Sequence, residues 1–142
     1  MTDEPRTPYL GYYLAILVAA IIGMAVLIFV VQWLTGVNIG GGATAIVPPM
    51  AAAMLVGQRW AKQRGATPTS KEAWRFAFVA GLVFFALQIL LALMVAASGV
   101  LGPVNQGFIG LMVGLVIAYT AVAILMHRWF VMMGARSALK AK

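Results

Sequence analysis

Side chains able to do chemistry are few in this sequence, and most lie outside its apolar stretches. The carboxylates are Asp3 and Glu4, close to the amino terminus, and Glu72, three residues after Thr69. None falls inside an apolar run, so no acid is placed to exchange a proton for a substrate within a membrane. The one histidine, His127, has no acidic partner or second ligand near it in sequence and is expected at a membrane interface beside Arg128. A single histidine cannot build a paired-histidine metal site. The absence of cysteine removes thiolate ligands, thiol nucleophiles and disulfides. Methionines such as Met50, Met54, Met94, Met112 and Met126 suit gap-filling better than a copper-binding cluster. An enzyme is therefore not expected, nor is a metal or an organic cofactor.

Two other sets of residues carry polar chemistry. Gln88 falls near the middle of one apolar stretch, at about the depth of Tyr119 and Thr120 in the next, and hydrogen bonds across the helices are the expected use. A midplane polar contact for a small solute is the sharper alternative. The second set is basic: Arg59, Lys62, Arg64, Lys71, Arg75, Arg128 and Arg136 all lie at the ends of apolar stretches. Cations so placed suit anionic lipid headgroups or the acidic face of a partner. They do not line a groove, so nucleic acid is not an expected partner despite the net charge of +7.

The elements that must position these residues are membrane-spanning helices. The chain of 142 residues is 63% hydrophobic and 9% charged, with a mean hydropathy of +0.99, far from ordinary soluble domains. Four spans are predicted, at about 10–34, 43–60, 76–97 and 107–131, filling a single domain over 1–142. The first is too long for a secretory signal and is expected to be retained. The second is short and contains Pro48 and Pro49, marking a helix break or a re-entrant segment as alternatives to a full crossing.

Charge orients the bundle. The turns Thr35 to Gly42 and Ser98 to Gly107 contain no charged residue, whereas the link 61–75 and the tail 134–142 are basic. Because Lys and Arg accumulate in cytoplasmic loops, the expected layout is all-α, two helical hairpins with both ends inside. Tyr9, Tyr12, Tyr13, Trp60, Trp74 and Trp129 would form the inner aromatic belt. In the link, Gly65 is placed for a helix C-terminal cap, and Thr69-Ser-Lys-Glu72 has the pattern of a capping box.

Every span carries small residues spaced mostly four apart: Gly11, Ala15, Ala19 and Gly23; Ala45, Ala53, Gly57 and Ala61; Ala73, Ala77 and Gly81; Gly110, Gly114 and Ala118. Packing within one bundle is the expected use, with an oligomer seam as the alternative. The size matches small four-helix multidrug transporters, but their membrane glutamate has no counterpart in the first span. Four-helix fluoride channels also match in size, but their dual topology requires little charge bias.

The stretches Ala51-Ala-Ala-Met-Leu-Val-Gly-Gln-Arg-Trp60 and Arg64-Gly-Ala-Thr-Pro-Thr-Ser-Lys-Glu-Ala-Trp-Arg75 bracket the middle link. They resemble the corresponding elements of a family of small four-helix bacterial inner-membrane proteins with no assigned activity. That resemblance implies a fold and a bacterial inner-membrane location, with Gln58, Arg59, Pro68, Glu72 and Trp74 as motif positions. The functional expectation is a structural or accessory membrane component that contacts lipids, a membrane-protein partner or further copies of itself. An oligomeric passive channel or uncoupled small-solute carrier is the alternative.

Overall fold

The computed structural model describes residues 9–99 and 106–141. Arg6, Asp3, Glu4, Lys142 and most of the second uncharged turn lie outside these. Four helices account for nearly all of the described chain: α1 (Leu10–Thr35), α2 (Gly42–Arg64), α3 (Ser70–Ala97) and α4 (Gln106–Lys140). Helices α1, α3 and α4 are each long and apolar enough to cross a membrane. Helix α2 has 23 residues, about 34 Å at 1.5 Å per residue, but Arg59, Lys62 and Arg64 dilute the apolar character of its last turns.

Contacts at the two ends fix the relative directions of the helices. Tyr9 meets Trp60 with ring centroids 5.5 Å apart, while Ile28 and Thr44 line one groove at the opposite end, so α1 and α2 are antiparallel. Trp74 lies against Arg128 and Ile89 near Val113, making α3 and α4 antiparallel too. Helices α2 and α4 run parallel, with Pro49 beside Ala123 and Gly57 beside Val131 further along.

This parallel pair is the most intimate in the bundle. A Cβ added to Gly57 would collide with the carbonyl oxygen of Val131, and one added to Gly134 would collide with that of Met54. Only glycine permits so close an approach of two helix backbones, and dispersion across that contact replaces the hydrophobic drive that lipid removes. Apart from Ala45, which is exposed, the small residues predicted in α2 and α3 are used inside the bundle, with Ala53, Gly57, Ala61, Ala73, Ala77 and Gly81 all buried.

The seams of α1 and α4 are not. Gly11, Ala15, Ala19, Gly23, Gly110, Gly114 and Ala118 face outward, which corrects the expectation that each seam packs within one bundle. Close packing in α4 is carried instead by Ala123, Gly134 and Ala135. The basic tail from 134 continues α4, which reaches Lys140, with Gly134 as an approach point to α2. One further sequence expectation changes. Helix α2 is unbroken at Pro48 and Pro49, beginning six residues earlier at Gly42.

The core occupies one half of the bundle. Tyr13, Leu17, Ala52, Ala53, Val56, Ala73, Phe76, Ala80 and Val131 form a buried cluster near the end that carries the basic residues. Towards the other end the helices diverge, and residues 89–99 and 107–115 are exposed throughout. Their apolar side chains match a hydrocarbon solvent and need no protein partner there.

Candidate functional site

The link between α2 and α3 builds one edge of the basic end. Gly65 adopts a left-handed conformation (φ 67°), and its amide donates to the Ala61 carbonyl, closing α2. Five residues on, at Ser70, α3 opens with the capping box the sequence predicts. The Glu72 amide donates to Thr69 Oγ1 at 3.3 Å, and Glu72 Oε2 accepts from the Thr69 amide at 2.8 Å and its hydroxyl at 2.7 Å. These bonds, followed by the nearby Arg64 cation, hold the Glu72 carboxyl below its usual range. Arg64 Nη1 reaches Glu72 Oε1 at 3.4 Å and ties the two helix ends together. The pair is part-exposed, so this contact is worth at most about 1 kcal/mol.

Three arginines lie over aromatic rings at this end. The Arg59 guanidinium carbon is 4.3 Å from the centre of the Tyr12 ring, that of Arg64 is 4.9 Å from Trp60, and that of Arg128 is 4.8 Å from Trp74. Tyr12 and Trp60 stand on α1 and α2, Trp74 and Arg128 on α3 and α4, so all four helices contribute. A guanidinium on an aromatic face gains cation–π attraction and loses side-chain freedom. Lys62, Lys71, Arg75, Arg136 and Lys140 stand exposed around the same end. The result is a collar of cations on apolar stems, suited to phosphate or carboxylate groups at a membrane surface.

Gln88 and Tyr119, two of the residues expected at the midplane, line separate spaces. Thr120 Oγ1 donates to the Val116 carbonyl of its own helix at 2.7 Å. Tyr119 packs against Phe84 with centroids 5.7 Å apart, lining a small apolar cavity with Pro49, Met50 and His127. Gln88 faces a different groove, shared with α1 and α2. Phe84 lines both spaces.

His127 is not interfacial. It is 1% exposed, with its Nδ1 2.6 Å from the Ala123 carbonyl and its Nε2 2.6 Å from the Tyr13 hydroxyl. A carbonyl only accepts, so Nδ1 carries the hydrogen, and Nε2 is left to accept from the Tyr13 O–H. This neutral tautomer joins α1 to α4 across 114 residues of sequence. The Phe76 ring meets Tyr13 edge-on at 5.5 Å and Phe84 flanks the imidazole at 6.3 Å. The two-hairpin layout puts Tyr13 and His127 at the same depth, a signal that hydropathy alone does not register.

The arrangement therefore offers a cationic, aromatic end and a sealed apolar core, and among the described residues no cluster of His, Asp and Glu that could hold a metal. No family model, no curated protein and no solved structure matches this chain.

Proposed function

We propose that the chain is a structural or accessory component of a bacterial inner membrane, crossing it four times with both ends inside and binding anionic headgroups through its collar. The observation that carries this reading is the seating of Arg59, Arg64 and Arg128 on aromatic rings at one end of the bundle. Interfacial aromatics set the depth of such an end, and the long basic stems extend from it to the headgroups. The segregation of charge supports the orientation: Leu10 to Gln58 and Phe76 to His127 contain no charged residue. Helix α2 is long enough to cross about 30 Å of hydrocarbon and, flanked by α1 and α4, needs less apolar surface than an isolated span. The same face would suit an acidic surface on a membrane-protein partner.

Retention of lipid tests this. Purified from a mixed membrane into nanodiscs, the protein is expected to retain phosphatidylglycerol over phosphatidylethanolamine in native mass spectra. Each basic residue near an anionic surface contributes about 1 kcal/mol, so a triple Arg59, Arg64, Arg128→Gln variant should lose most of that preference. Equal retention of the two lipids by the native protein would refute the reading. A stoichiometric protein in the same spectra would identify the partner.

A channel or uncoupled carrier is the second reading. A route through one copy is opposed by the buried side chains of Tyr13, Leu17, Phe76, Phe84 and His127 in the basic half. A path would have to run between copies, where the outward small residues of α1 and α4 permit close approach.

A further inference from the structure

The uncharged half of the bundle holds a groove between α1, α2 and α3 with a volume of about 230 Å³. Most of its walls are apolar, among them Ile28, Phe84, Leu87 and Leu91. Its polar side chains belong to Gln88 and Thr44, and Thr44, Ala45 and Pro48 bring the start of α2 to its wall. In an unbroken helix the Thr44 and Ala45 carbonyls would accept from the amides of residues 48 and 49. Both positions are proline and have no N–H to give. The Thr44 hydroxyl is already engaged with the Gly41 backbone. Among the described residues, the Gln88 carboxamide has no hydrogen-bond partner, while its backbone belongs to the α3 ladder.

Lipid tails supply no hydrogen bonds, so these groups need a partner that carries its own. We infer that the groove is a binding site for a small, neutral, membrane-soluble alcohol or phenol, entering sideways from the uncharged leaflet. Its hydroxyl donates to a carbonyl freed by Pro48 and Pro49 and accepts from the Gln88 amide, a combination that a hydrocarbon cannot offer. An ion is unsuited, because the lining holds no charge to compensate it. A cavity of about 150 Å³ takes up benzene, so this groove is large enough for one ring with a short chain. The site is separate from the basic collar and does not depend on what the collar binds.

The test uses the full chain in nanodiscs with 15N-labelled glutamine, titrated with 4-propylphenol and, separately, with propylbenzene. Empty nanodiscs correct both for partition into lipid. Saturable binding of the phenol with a shift of the Gln88 side-chain amide signal is expected, with propylbenzene at least tenfold weaker. Gln88→Leu should reduce phenol affinity about tenfold towards that of propylbenzene. Ala25→Phe, which fills the groove from α1, should abolish saturable binding of both while far-ultraviolet circular dichroism stays unchanged. Equal affinities for the two probes would overturn the inference, as would phenol binding that Gln88→Leu leaves intact in a folded protein.

Discussion

In an apolar interior the Tyr13 hydroxyl and the His127 Nε2 have each other as polar partner, while His127 Nδ1 is held by the Ala123 carbonyl. Tyr13→Phe removes the donor and leaves Nε2 buried without a partner, so the bundle should lose about 1 kcal/mol, read from reversible unfolding in mixed micelles. His127→Leu strands the hydroxyl instead, and Tyr13→Phe combined with His127→Leu should cost less than the sum of the two single changes. Glu72 provides a pH-dependent check. Its folded-state pKa is depressed by the Thr69 bonds and Arg64, so its contribution is complete above the unfolded carboxyl value of about 4.3 and is lost as pH falls through the lower folded value. Amide exchange at residues 70–73, corrected for intrinsic rate, should show protection falling over that acidic interval, and Glu72→Gln should remove most of the change. The capping box was legible because its bonds are local. The Tyr13–His127 bond was not, since nothing in a single apolar stretch reports its neighbour across the bundle.

Among the elements, α2 and α4 meet where neither can tolerate a side chain. Gly57→Ala and Gly134→Ala each drive a methyl group into a backbone carbonyl, and each should destabilise the bundle by about 1–3 kcal/mol, against the usual gain of alanine in a helix. Gly81→Ala meets the Ile124 side chain instead of a backbone carbonyl, and should cost less, although the β-branched Ile124 is stiff at χ1. Gly110→Ala and Gly114→Ala face open space and should change the stability of one copy by no more than about 0.5 kcal/mol. A loss of self-association in those variants, seen by sedimentation in detergent, would assign the outward seam to contacts between copies. Hydropathy located all four helices, since long apolar runs bounded by Gly, Pro and charge leave little choice. It bounded the fourth apolar span near residue 131, whereas α4 runs on to Lys140, because hydropathy marks where a run stops being apolar and not where helical hydrogen bonding stops. Small-residue spacing likewise marks a face without saying what covers it.

At the scale of the whole molecule, one half is packed and cationic at its end, while the other diverges and is uncharged. The even number of helices puts every described cation at the packed end, and this asymmetry underlies both the proposed orientation and the proposed binding of anionic lipid. The absence of cysteine makes the orientation directly measurable. Single cysteines at Asn38, in the turn between α1 and α2, and at Ser70, at the start of α3, can be probed in intact bacterial cells with a membrane-impermeant maleimide. Labelling of Asn38→Cys from outside is expected, with Ser70→Cys reacting only after the cells are opened. Labelling of both from outside, or of Ser70→Cys alone, would contradict the four-span arrangement with the basic collar on the cytoplasmic leaflet.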